Sequence, residues 1–289
     1  MVTPNEQYSK MGIAMGHEDL YFKREDLHPL GSHKGRSIPP MIDHYYARGS
    51  RSFAISSSGN AALAAALYVK DKADIKLEIF VGNNIDEQKL AKVAAVVAKI
   101  NDADHVKITK TERPLQALSQ ATLRGVTSLR QSTDDVALLG YDTLAQEILS
   151  IKNVAAVFMG ASSGTTAQAL AQYFIKVKAS VQVHIVQTSS CHPLTDDFDR
   201  CDVDEESIAT AIVDKTALRK PRLIPLIRQT GGSGWCVSNK DIEAAQKLTK
   251  TYTGLNISTN SALPIAGAVR ANHENYEING PIVCLICGD

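Results

Sequence analysis

The chain has 289 residues, long enough to bury a large core, and about two lobes are expected. Lysine plus arginine and aspartate plus glutamate both number 31, so the formal net charge is zero, which argues against a nucleic-acid footprint or an anionic membrane surface as partner. No apolar run reaches the ~18 residues that span a bilayer; the opening MVTPNEQYSK lacks the apolar stretch of a secretory signal, and five cysteines, an odd number placed late, suit a reducing cytoplasm better than a disulfide framework.

Residues 1–30 read as an arm followed by a short strand over 20–23. The stretch KREDLHPLGSHKGRS spans 23–37. Pro29 and Gly31 break any helix there, and Ser32 is a good N-cap, so Lys34 is expected in the first turn of a helix. Unpaired amides and the helix dipole disfavour an ammonium at that point, and a free amine is what Schiff-base chemistry requires. The alternative is a surface lysine in a loop. A helix-like segment runs on to about 48, followed by a strand over 52–56 and an alanine-rich helix over 61–69. Strands are expected over 77–81 and 105–109, with helices over 86–100, where Asp86 and Glu87 occupy the first turn, and over 113–123. Alternating strands and helices of this kind build parallel sheets with right-handed crossovers, an α/β fold.

Residues 125–140 have no clear period and read as a loop between lobes. A helix over 142–151 leads into an apolar strand over 154–159, then a helix to about 176 and a strand over 181–187. Residues 191–206 are polar, are broken by Pro193, and read as a surface loop. Helices over 221–229 and 241–251 flank a strand over 234–237, and a helix over 262–271 precedes a last strand over 281–286. Cys284 and Cys287 form a CxxC. Positions three apart in a strand face opposite sides, and no second ligand pair stands near in sequence, so no metal or redox pair is expected.

Two further stretches bear on Lys34. Gly160, Ala161, Ser162, Ser163, Gly164 and Thr165 follow a buried-type strand and open a helix. Their glycines allow tight turns, and their small side chains let amides converge into an anion nest that suits a phosphate. It is neither a Walker A loop nor GxGxxG, and the alternative is an ordinary strand-to-helix turn. Ser56, Ser57, Ser58, Gly59 and Asn60 have the same placement and suit a substrate carboxylate, with Asn60 also able to orient a phenolic oxygen; the alternative is a simple helix cap. One lysine, one phosphate nest and one carboxylate nest match a phosphorylated aldehyde condensed with an amino acid. That combination points to pyridoxal 5'-phosphate.

The same stretches resemble a known family. KREDLHPLGSHKGRS is similar to the Schiff-base segment of fold-type II pyridoxal-phosphate enzymes (the tryptophan synthase beta superfamily), SSSGNAALAAA to their substrate-carboxylate loop, and MGASSGTTAQAL to their glycine-rich phosphate loop. VQTSSCHPL, ESIATAI, SGWCVSNKDIEAAQKL and the final IVCLICGD extend the resemblance, which is closest to threonine synthases. The resemblance implies two α/β lobes, each a mostly parallel sheet wrapped by helices: a smaller one over 46–150 and a larger one over 1–45 and 151–289. It implies Lys34 as the catalytic, cofactor-bearing residue, and Asn60, Gly160–Thr165 and Cys287 as cofactor neighbours. Ser57, Ser58, Gly59 and Asn60 are implied at the substrate, and a homodimer as the assembly. Cys287 stands where relatives have the Ser or Thr that faces the pyridine nitrogen; some serine dehydratases also have Cys there. A neutral partner at that nitrogen favours elimination or replacement over transamination.

The expected reaction is therefore that of a threonine-synthase-like lyase on a phosphorylated homoserine. A serine or threonine dehydratase and a cofactor-binding protein without turnover are the alternatives. Four departures from the family pattern bear on the substrate. His33 stands where most relatives have Phe, and Gly35 where threonine synthases usually have Asp. Ser258-Thr259-Asn260-Ser261 replaces the more usual Glu-Pro-Ala-Ser/Gly, and the sequence stops at Asp289 where threonine synthases continue.

Overall fold

The computed structural model describes residues 2–17, 19–85, 87–100, 105–199, 201 and 205–288. They fall into two compact units, one of His28–Gly140 and the other of Met1–Leu27 with Tyr141–Asp289. The larger unit opens with β1 (Asn5–Gln7), α1 (Ser9–Ala14) and β2 (Leu20–Arg24). The smaller unit follows, with α2 (Ile38–Tyr46), β3 (Ser52–Ser56), α3 (Asn60–Val69), β4 (Lys76–Gly82) and α4 (Glu87–Val97). It is completed by β5 (Val106–Thr111), α5 (Pro114–Leu123), β6 (Thr127–Ser128) and α6 (Val136–Leu139). Asp86, expected in the first turn of α4, lies outside the described residues. The larger unit resumes with α7 (Asp142–Leu149), β7 (Ala156–Gly160), α8 (Thr165–Lys176) and β8 (Gln182–Thr188). It ends with α9 (Lys220–Gln229), β9 (Gly234–Val237), α10 (Asn239–Thr253), α11 (Thr259–His273) and β10 (Ile282–Ile286).

The smaller unit is built on a wholly parallel sheet in the order β5-β4-β3-β6. Ile38, Met41 and Ile42 of α2 bury in the same cluster as Phe53, Ile55 and Ala65. This packing groups residues 28–45 with the smaller unit, whereas the sequence reading placed them with the larger one. Residues 125–140, read as a loop, supply the fourth strand, β6, whose two residues are too short a run to register as a strand in sequence.

The larger sheet has the order β1-β2-β10-β7-β8-β9 and is parallel except for β1, which pairs antiparallel with β2. Strands β10, β7 and β8 are buried along almost their whole length, as parallel strands covered on both faces must be. The polar loop expected over 191–206 contains a short turn, Thr195–Asp197, while residues 200 and 202–204 lie outside the described set. Cys201 and Cys236 form a disulfide with Cα atoms 5.5 Å apart, which corrects the expectation that the cysteines do without bridges. Cys191, Cys284 and Cys287 are buried and take no part in a disulfide among the described residues. No helix among the described residues is long and apolar enough to cross a membrane.

One core residue makes a prediction. His184 is fully buried on β8, stacked on Phe158 with ring centroids 4.3 Å apart. Its Nδ1 accepts from the amide of Ser233 and from Trp235 Nε1, both at 3.2 Å, leaving Nε2 to donate to Gln182 Oε1 at 3.1 Å. Burial, with a small contribution from His17, lowers its pKa to about 3. An unfolded chain takes up this proton near pH 6.5, and the native protein refuses it until about pH 3. Stability is therefore whole above pH 6.5 and falls by up to about 1.4 kcal/mol per pH unit below it. Urea unfolding at pH 7, 5 and 4 should give a shallower acid loss for His184→Gln than for the wild type; parallel losses would contradict the assignment.

Candidate functional site

Lys34 sits in a single 3-10 turn, His33–Arg36, N-capped by buried Ser32, whose Oγ accepts from the Lys34 amide at 3.2 Å. The sequence reading put this lysine in the first turn of an α-helix. Pro39 and Pro40 explain the difference: lacking amides, they cannot donate back to Gly35 and Arg36, so α2 begins only at Ile38. Packing rather than a long helix dipole therefore positions Lys34. A Cβ on Gly35 would lie 2.3 Å from the His28 ring and 2.8 Å from Leu30 Cβ, so the His28 ring excludes the aspartate that threonine synthases usually have there. Gly31, at φ +85°, lets the preceding turn close against Leu63 of α3.

The Lys34 side chain is half-buried, and its Nζ makes no hydrogen bond or ion pair among the described residues. Lys23, in the same stretch of sequence, is the opposite case. It is fully buried and donates to Glu147 Oε2 at 2.5 Å and to the carbonyl of Thr3 at 2.6 Å. Of these two amines, only that of Lys34 is open to chemistry.

The turn that carries Lys34 packs on α3. Residues 57–59 connect β3 to that helix at the C-terminal end of the strand, where open α/β sheets bind ligands. Ser57 Oγ accepts from the Gly59 amide at 3.4 Å. The side chains and amides of Ser58 and Asn60 make no hydrogen bond among the described residues, so neither residue is used up as a helix cap. The smaller unit thus brings together the lysine and the four residues expected at the substrate.

In the larger unit, residues 161–164 turn from β7 into α8. Gly164 adopts φ +79°, and a Cβ there would meet Leu223 Cδ2 at 2.5 Å. The Ala161 amide closes onto the carbonyl of Val186 at 2.9 Å, while the amides of Ser162, Ser163 and Gly164 donate to nothing among the described residues. The Ser163 and Thr165 hydroxyls pair with each other at 2.9 Å. Cys287, buried and one residue past β10, follows the strand that pairs with β7, so both features lie at the C-terminal ends of adjacent strands. Its Sγ contacts the carbonyl of Leu285 at 3.5 Å.

Sequence reasoning missed the segment that braces this loop. Ser162 Oγ accepts from the amides of both Val213 and Asp214 at 3.1 Å. The residues that replace the family's usual Glu-Pro-Ala-Ser/Gly are also engaged. Ser258 caps α11 by accepting from the Ser261 amide at 3.1 Å, and Ser258 and Ser261 hydroxyls both reach the carbonyl of Gly288, at 3.2 and 3.4 Å. Contacts so distant in sequence leave no local pattern to read.

Taken each in its own unit, the half-buried amine of Lys34 suits an aldehyde, and the amides of Ser162, Ser163 and Gly164, which donate to nothing among the described residues, suit a phosphate. The sequence pattern described as "Pyridoxal-phosphate dependent enzyme" matches residues 1–288, and the chain belongs to that family. Its fold is that of the fold-type II members, and its cofactor is pyridoxal 5'-phosphate. A threonine synthase of Methanosarcina acetivorans is 23% identical over 282 residues, covering 92% of this chain and 68% of its own length. The crystal structure of a pyridoxal 5'-phosphate-dependent aspartate racemase superposes with a TM-score of 0.83 at 20% identity, over 100% of this chain and 90% of that one. The processed form of threonine deaminase isoform 2 from Solanum lycopersicum superposes with a TM-score of 0.79 at 21% identity, over 99% and 83%. At these identities the structural likeness speaks for the fold alone.

Proposed function

We propose that this enzyme is a carbon–oxygen lyase that acts on an amino acid by elimination and replacement, converting O-phosphohomoserine and water to threonine and phosphate. The observation that carries the reading is Lys34, a half-buried amine with no partner among the described residues, in a glycine-shaped turn of a chain whose curated relatives include threonine synthases. Pyridoxal phosphate bound through its aldehyde supplies an electron sink for the bonds at the substrate's α-carbon. Ser162, Ser163, Gly164 and Thr165 hold the phosphate with their amides, on the turn that Gly160 and Ala161 shape. Ser57, Ser58, Gly59 and Asn60 bind the substrate carboxylate, and Asn60 also orients the cofactor's phenolic oxygen. With the cofactor bound, the Lys34 amine would hold its aldehyde and would serve as the general base for the substrate's α-proton. The Cys287 thiol would offer the ring nitrogen a weak donor and no negative charge. The assembly is proposed to be a homodimer.

A second reading, an ammonia-lyase of serine or threonine, is favoured by one residue, the cysteine at 287. A product assay of the loaded enzyme with O-phosphohomoserine, threonine and serine separates the two. Threonine and phosphate from the first substrate support the main reading, and a 2-oxo acid from either of the others supports the second. No product from any of the three, with cofactor bound, would leave a binding protein and overturn both.

A further inference from the structure

Residues 205–217 form a strap that leads to the start of α9, and side chains of α11 and of the loop after β7 fasten it. Asn260 Oδ1 accepts from the Ala211 amide at 3.0 Å, and Thr259 Oγ1 donates to the carbonyl of Ile208 at 3.0 Å. Between these two bonds Ala209 is buried, and Ile212 just beyond them is buried too. The next two amides, of Val213 and Asp214, both donate to Ser162 Oγ. Asp214 Oδ1 then accepts from the amides of Thr216 and Ala217 at 3.1 and 3.2 Å, fixing the turn that follows.

A serine hydroxyl has two acceptor lone pairs and one proton to give. The strap takes both lone pairs of Ser162, so the one hydrogen bond left to that hydroxyl is a donation. Beside it, the amides of Ser162, Ser163 and Gly164 are donors without acceptors among the described residues. These donors, the three amides and the Ser162 hydroxyl, suit an anion. The serine is held as a donor by residues outside its own loop. Free of the strap, the hydroxyl could rotate and accept from a neighbouring amide instead.

We infer that Thr259 and Asn260 are positioning residues for the cofactor's phosphate, acting through the strap on the Ser162 hydroxyl. The inference rests on residues 160–165 being the phosphate loop. It also gives a physical reason for the departure at these two positions. A proline at 259 and an alanine at 260, the more usual pair, have no side-chain oxygen with which to make either bond.

The test is a titration of apoprotein with pyridoxal phosphate and, separately, with pyridoxal, which lacks the phosphate, followed by the cofactor's absorbance. Asn260→Ala and Thr259→Ala should each weaken pyridoxal phosphate about threefold to tenfold, the effect of one hydrogen bond, and leave pyridoxal unchanged. Asn260→Ala added to Ser162→Ala should cost nothing further, because the hydroxyl it positions is gone. Equal weakening of both ligands, no weakening of either, or a full additive loss in the double variant would overturn the inference while leaving the phosphate loop in place. Equal affinity of the wild type for both ligands would remove the phosphate-loop reading, and the inference with it.

Discussion

Lys34→Ala will give a folded protein with no visible cofactor band that borohydride can abolish, and a turnover at least ~10³-fold below the wild type. The fold survives because the Lys34 side chain is only half-buried and its Nζ pairs with nothing among the described residues, so truncation strands no buried charge. The chemistry does not survive, since alanine can neither bond the aldehyde nor carry the α-proton. Lys23 is no substitute: it is fully buried and committed to Glu147 and the Thr3 carbonyl. The same circular-dichroism spectrum in both proteins, together with loss of the band, checks both halves of the expectation. A borohydride-sensitive band persisting in the variant would move the anchor elsewhere.

Gly164→Val should weaken pyridoxal phosphate by at least ~100-fold, for two separable reasons. A β-branched residue at φ +79° is strained wherever it stands, and its Cβ here would also sit 2.5 Å from Leu223 Cδ2. Relief of either strain moves the backbone of the Ser162–Gly164 turn, whose amides are the proposed phosphate donors. Gly164→Ala should show a smaller loss, and adding Leu223→Ala should restore only part of it, because the backbone strain remains. Dialysis followed by cofactor titration measures all three variants. Unchanged retention in Gly164→Val would mean that the phosphate binds elsewhere.

The strands with the strongest local pattern were the ones legible in the sequence. β3 and β9 were read at their observed bounds, because each is a short apolar run between turn residues. The ends of α10 and α11 were drawn too short. Their caps, Ser238 with Asp241 and Ser258 with Ser261, lie outside the apolar periodicity that marks a helix. β1 and α1 were hidden in the arm because Asn5–Gln7 is a wholly polar strand, paired with β2.

The candidate residues other than Cys287 stand out in the sequence because they lie in short stretches of turn residues that precede a helix. Their supports do not. The His28 ring against Gly35, the strap on Ser162 and the serine pair on Gly288 join residues up to 52 positions apart. The Cys201–Cys236 bridge spans 35 positions. The strap, the serine pair and the bridge depend on how distant segments pack in the fold, which no local spacing encodes.

The central claim is that Lys34 bears the cofactor. Reducing the holoprotein with borohydride fixes the cofactor to its lysine, and proteolysis followed by mass mapping of the peptides finds it. The account predicts a single phosphopyridoxyl group, on the peptide that contains Lys34. The same group found on a peptide without Lys34 would contradict it.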